Sequence, residues 1–291
     1  MAKGRELKGR IKSVENTRKI TRTMEMVATS KMKRAQDRVV VARPYAAALG
    51  EVLSRLYSPE LAERFPLLRQ PARVRRAAVL LLTGNRGLAG AFNTNLIREA
   101  RTRVAELEGR GTEVELHVVG RKGIGYFRYV GRALAAQRTD LGDRPSAAEA
   151  ASLVDDLMNR FTSGGLDAVY VIYAKFNSAL STPPTTVQVL PVQPPTAEGR
   201  RAVRQRDYLL APSPEAILTE LLPSYVRNSV YRALAETTAA FYGAQRTAMK
   251  SATDNAGEML NGLKRTYNRA RQAQITQEIA EIVGGASALQ G

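Results

Sequence analysis

The sequence predicts an α/β protein in which a long antiparallel coiled coil of N- and C-terminal helices accompanies a compact α/β domain. Three observations carry this. Long proline-free stretches with apolar residues every three or four positions occupy both ends of the chain; short apolar runs alternate with helical patterns in the middle; and proline-rich segments separate the two kinds of pattern.

From Arg5 to Arg43 there is no proline, and apolar or small residues recur at Leu7, Ile11, Val14, Thr21, Met24, Ala28, Met32, Ala35, Val39 and Ala42. That spacing marks one amphipathic helix. Pro44 is expected to kink or interrupt it, because proline lacks the N–H of the helical ladder. The pattern resumes at Ala46, Leu49, Leu53 and Leu56, so the segment to Tyr57 would be about 80 Å long. "SPELAERFPLLRQPARVRR" breaks the periodicity with three prolines and reads as a linker. Four strand-sized runs follow: "AAVLLLT" (77–83), "VELHVVG" (114–120), "DAVYVIYA" (167–174) and "TTVQVLPV" (185–192), with helical patterns at 91–108 and 146–163. Buried strands alternating with helices make a Rossmann-like domain with a partly parallel sheet.

After Pro223 no proline appears, and Val230, Leu234, Phe241, Ala248, Ala252, Met259, Leu263 and Ala270 form a heptad-like seam. Residues 224–283 would span about 90 Å as a helix. Two terminal helices with one apolar stripe each are best satisfied by pairing antiparallel, and Ala248, Ala252, Ala256 and Gly257 permit close approach. The organisation is therefore 1–58 N-terminal coiled-coil helix, 59–76 linker, 77–211 α/β foot domain and 212–291 C-terminal coiled-coil helix.

Composition narrows the chemistry. The chain of 291 residues has no cysteine and one histidine, which removes disulfides, thiolate metal sites and most histidine-based chemistry. No run approaches a membrane span, the longest apolar one being "AAVLLL". Gly84, Gly87 and Gly90 are spaced G-x-x-G-x-x-G, unlike the dinucleotide fingerprint, and read as a tight strand-to-helix turn. Ser30 and Lys33 form S-x-x-K by chance within a basic helix. His117 alternates with apolar neighbours and reads as a partly buried structural residue. No catalytic constellation, cofactor or metal site is expected.

A net charge of +17 calls for an anionic partner. The first 38 residues hold twelve basic and four acidic residues, a surface for acidic protein segments or phosphate, without the interleaved aromatics of single-strand binders. The tip differs. After Arg271 there is no lysine or arginine in the last twenty residues, while Ile275, Ile279, Ile282, Val283 and Ala286 form a stripe. A helix C-terminus ordinarily favours cations, so a tip that forgoes them suits enclosure by a partner, where an unpaired ammonium would be costly.

The segments "RIKSVENTRKITRTMEMVATSKMKRAQ" (10–36) and "AMKSATDNAGEMLNGLKRTYNRARQAQITQEIAEIVGGASA" (248–288) closely resemble the two ends of the gamma-subunit family of bacterial F-type ATP synthases. The signature residues are Ile275, Thr276, Glu278, Glu281, Gly285 and Ala286; "GLAGAFN" (87–93) and "RDYLLAPSP" (206–214) are similar too. Gly84 and Asn85 stand where many relatives have Ser-Asp, and Leu210 and Ala211 where some have tyrosine and glutamate.

The resemblance implies a rotor with no catalytic site of its own, coupling proton-driven c-ring rotation to ATP synthesis or hydrolysis at the beta subunits. It implies a hetero-oligomer with three alpha and three beta subunits, the epsilon subunit and the c-ring, on the cytoplasmic face of the bacterial plasma membrane, touching the membrane only through the c-ring. It places Met24, Lys31, Lys33, Arg34, Arg271, Gln272, Thr276 and Glu278 against the beta subunits. Ile279, Ile282, Val283, Ala286 and Leu289 would lie in an apolar alpha/beta collar, and Tyr208 on the c-ring and epsilon side. A basic coiled-coil nucleic-acid-binding protein would explain the charge but not the cation-free tip; a nucleotide-dependent enzyme using the Gly84–Gly90 turn ranks third.

Overall fold

The computed structural model describes residues 2–57, 64–193 and 213–289, with side chains from 5 to 284 within those ranges. Helix α1 (Ala2–Leu56) leads, through a short 3-10 turn at Pro66–Leu68, to strand β1 (Arg76–Leu82). Then come α2 (Phe92–Gly109), β2 (Glu113–Val119), α3 (Arg121–Tyr129), β3 (Ala136–Arg138), α4 (Ala147–Thr162), β4 (Ala168–Ala174), β5 (Pro184–Leu190) and α5 (Pro214–Leu289). The chain divides into two compact units: Met1–Ala28 with Arg246–Gly291, and Thr29–Gln245.

In the larger unit the sheet order is β3-β2-β1-β4-β5. Strands β1, β2, β3 and β4 run parallel, and β5 returns antiparallel to β4. β1 sits between two parallel neighbours, which is why Ala77 to Leu82 is an unbroken apolar run rather than an alternating one. Ala78, Leu80 and Leu82 belong to a core with Val154, Leu157 and Phe161 of α4, Leu53 and Leu56 of α1, and Leu222, Val226 and Val230 of α5. Helix α2 packs against β1, β2, β4 and β5. Helix α4 begins with a capping box, in which Glu149 N–H donates to the Ser146 hydroxyl (3.1 Å) and Ser146 N–H to the Glu149 carboxylate (2.7 Å).

Two elements escaped the sequence patterns. Helix α3 has nine residues, two of them glycine, and only Gly123, Ile124 and Phe127 are buried, so its apolar face is a single short stripe. Gly123 is required there, since a Cβ would meet Thr83 Oγ1 and Val118 Cγ1 at 2.8 Å. β3 is a three-residue edge strand without an apolar pattern. Pro44 does not interrupt α1, and Pro223 lies inside α5; Pro44 is solvent-exposed, so the carbonyl it strands can meet water.

In the smaller unit the helices pair antiparallel. Thr21 Oγ1 and Thr253 Oγ1 lie 2.8 Å apart, and Arg18, one turn earlier in α1, packs beside Gly257, one turn later in α5. The seam of α5 here is Met249, Thr253, Ala256 and Leu260, all buried. It runs one position off the expected Ala248, Ala252 and Met259, and Met259 is 59% exposed. Apolar side chains fell on both faces, and the alternating four- and three-residue steps of the true seam include a threonine that an apolar count passes over.

Candidate functional site

Within the larger unit, the carboxyl end of β1 gathers five charged or polar side chains from four separate stretches. Asp143, between β3 and α4, accepts from Lys31 Nζ of α1 at 2.8 Å and from the Arg86 guanidinium of the β1–α2 turn. The Tyr242 hydroxyl of α5 accepts from Arg86 (3.0 Å) and Lys31 (3.2 Å). Arg38 of α1 donates to the Asp143 carbonyl at 3.2 Å. Hydrogen bonds from Arg86 and Lys31 outweigh burial and hold the Asp143 carboxyl well below the usual carboxylate range. Burial pushes the Tyr242 hydroxyl up. Sequence reasoning missed Asp143, Arg86 and Tyr242, because members of a cluster drawn from positions 31, 86, 143 and 242 share no local period.

A cavity of about 390 Å³ adjoins this cluster, lined by Thr83, Asn85, Leu141, Thr237 and Phe241 among others. It lies where parallel sheets often hold phosphates at helix N-termini. Here those donors are spent internally. Arg121 N–H donates to Asn85 Oδ1 (3.0 Å), Lys122 N–H to the Gly84 carbonyl (3.2 Å) and Gly123 N–H to Thr83 Oγ1 (3.1 Å). Asn85 also ties down the carbonyls of Thr139 and Leu141, each at 3.1 Å. The glycine turn joins β1 to α2, a strand-to-helix turn as its spacing suggested, and a Cβ at Gly84 would meet Phe241 at 3.1 Å. Its Leu88 is left-handed (φ 61°) and exposed.

The residues expected to meet partners fall into distinct settings. Lys31 is engaged inside the chain as described. Lys33 is exposed and pairs with Asp37 at 3.1 Å, and Arg34 donates to the Ser30 hydroxyl at 3.4 Å. Met24 is half-buried. In the smaller unit Arg271, Gln272 and Thr276 are exposed, and their side chains make no hydrogen bond or ion pair among the described residues. Glu278 accepts from Gln274 at 2.9 Å. Ile275, Ile279, Ile282 and Val283 are exposed, Ile282 by 72%.

The pairing register explains this exposure: Ala2 lies nineteen residues before Thr21, and residue 272 nineteen after Thr253, so beyond it no described residue of α1 lies opposite α5. The α5 backbone continues to Leu289, but the side chains of Ala286 and Leu289 lie outside the described residues, as does Tyr208 with Leu210 and Ala211. Among the described residues no helix is long and apolar enough to cross a membrane. His117 is largely buried, and its Nε2 is 3.6 Å from Glu115, whose carboxylate is gripped by Arg160 at 2.8 and 2.6 Å.

The family described as ATP synthase matches residues 3–289. The chain is 73% identical to an ATP synthase gamma chain of Gemmatimonas aurantiaca over 291 residues, covering all of both chains. It is 44% identical to one of Leptospira biflexa over 289 residues, covering 99% of this chain and all of that one. Its fold resembles a chain of the Euglena gracilis mitochondrial ATP synthase (OSCP/F1/c-ring, rotational state 3), with a TM-score of 0.67 at 19% identity over 99% of this chain and 95% of that one. It also resembles one of the Tetrahymena thermophila central stalk and c-ring, with a TM-score of 0.62 at 24% identity over 80% and 99%. Paired terminal helices, a mixed sheet between them in sequence and full-length identity to gamma chains agree: the chain belongs to the gamma-chain family of ATP synthase, the family of the central-stalk rotor.

Proposed function

We propose that the chain turns as a non-catalytic shaft inside a ring of three alpha and three beta subunits, driven by a proton-powered c-ring. The complex would lie at the cytoplasmic face of the bacterial plasma membrane, with epsilon bound beside the foot domain. One observation carries the reading. Ile275, Ile279 and Ile282 of α5 form an exposed stripe in a stretch whose sequence has no cation, directly after Arg271, which is exposed and makes no side-chain hydrogen bond or ion pair among the described residues.

An apolar patch on a helix end marks a surface that another protein covers. A tip that turns within its enclosure gains from having no ammonium or guanidinium groups, because a deeply desolvated ion pair would hold it at one angle. Arg271 sits just below, where a charge can be attracted to acidic or polar partner groups without a fixed fit. Gln272, Thr276 and Glu278 extend that surface, and Met24, Lys33 and Arg34 supply exposed or half-buried counterparts on α1. Lys31 is set apart by its internal ion pair.

Arg271→Ala removes one guanidinium from this surface. A lost charge-assisted hydrogen bond is worth about 1.5–3 kcal/mol, so ATP synthesis is expected to fall by on the order of tenfold or more if the contact is made in the rate-limiting state. The amount of assembled complex is expected to change little. Quantifying complex in membranes alongside synthesis rate separates these effects, and equal loss of both would contradict a torque role for Arg271.

A further inference from the structure

We infer that Asp143 is a positioning residue for rotary coupling: it locks both long helices to the α/β domain so that turning the domain turns the helices without slip. This rests on the rotor reading above. The apolar contacts of α1 and α5 with the sheet are close-packed but carry no directional chemistry. Charge-assisted hydrogen bonds are short and angle-dependent, and they add a fixed angular position to that packing.

The Asp143 carboxylate takes Lys31 from α1 and Arg86 from the turn after β1, and its carbonyl takes Arg38, one further position on α1. Tyr242 of α5 is packed edge-on against Phe241 and closes the cluster through its hydroxyl to both cations. Asn85 fixes the segment bearing Asp143 by gripping Thr139 and Leu141. A second tie acts on α5 alone. Glu236, 3% exposed, accepts from Phe176 N–H (3.3 Å) and Arg232 (2.8 Å), and Thr237 accepts from Ala174 N–H (3.4 Å) at the end of β4. Helix α5 is therefore held at two strand ends, and the cluster at β1 ties both α1 and α5 to the same end of the sheet by hydrogen bonds.

A consequence concerns Lys31. Its ammonium serves Asp143 rather than a partner subunit, so its loss acts through the same lock. The test uses the complete complex reconstituted in vesicles, recording ATP hydrolysis and ATP-driven proton uptake together. Asp143→Ala is expected to keep hydrolysis while proton uptake per ATP falls severalfold, with Asp143→Glu restoring most of it. Lys31→Ala is expected to lose uptake in the same direction, and the double variant no more than Asp143→Ala alone. Tyr242→Phe, which keeps the ring and removes one hydroxyl, is expected to lose part of the uptake, and it carries the test if Asp143→Ala does not assemble.

Uptake per ATP unchanged in Asp143→Ala, or in Tyr242→Phe where Asp143→Ala does not assemble, overturns the proposal. So does additive loss in the double variant, which would place Lys31 at a partner. Failure of the unaltered complex to couple hydrolysis to uptake would instead count against the rotor reading itself.

Discussion

At the scale of single residues, what a side chain does depends on which groups the fold brings to it, and the sequence reveals that unevenly. His117 was legible: it alternates with apolar neighbours on β2, and burial is the dominant influence on its ring, lowering its pKa below 6.5 despite the nearby Glu115. The unfolded chain then binds the proton more readily than the folded one. The stabilising contribution of neutral His117 is complete above pH 6.5, shrinks as pH falls through the window below it, and is gone beneath the folded midpoint. Because the chain has one histidine, its ring resonances are unambiguous. They are expected to titrate with a midpoint below 6.5, and a midpoint at or above that value would show that the Glu115 carboxylate, not burial, controls the ring. Asp143 was illegible by comparison. Nothing in "DLGDRPSA" distinguishes it from an ordinary loop aspartate until folding brings Lys31 and Arg86 to it.

At the scale of elements, the central strands and the long helices were readable because their burial is periodic or continuous over many residues. β1 and β4 are buried along nearly their whole length, and α1 keeps small or apolar residues at Ala28, Ala35, Val39, Leu53 and Leu56 facing inward. The short α3 and β3 were not read, α3 because two of its nine residues are glycine and few are apolar, and β3 because three residues give an alternation too little length to show. The register of the α5 seam was missed by one position because one of its members is Thr253. That threonine makes a specific prediction. Its hydroxyl lies 2.8 Å from Thr21 and 2.9 Å from the Met249 carbonyl, while Thr21 reaches the Arg18 carbonyl at 3.1 Å. Either Thr21→Val or Thr253→Val alone is expected to cost about 1 kcal/mol, and the pair together less than the sum, because each single change already removes the one bond between the two hydroxyls. Equilibrium denaturation followed by circular dichroism measures all three, and simple additivity would show that the two hydroxyls do not interact.

At the scale of the whole molecule, charge is divided by purpose. A basic excess covers the first 38 residues, Arg271 near the end of α5 is exposed and without an ion pair among the described residues, and the residues after it carry no lysine or arginine. In the α/β unit some charges meet in internal pairs such as Glu115–Arg160 and Asp155–Arg227. The first amide donors of α3 are likewise engaged by protein groups.

The absence of cysteine makes the decisive measurement direct. Leu180, 84% exposed, can be changed to cysteine as the sole thiol of the chain, and a bead attached there reports the motion of this subunit in surface-held complexes. On adding ATP, the bead is expected to turn continuously in one direction, with three pauses per revolution matching three beta subunits. A bead that stays fixed while the same complexes hydrolyse ATP would contradict the claim that this chain is the rotor.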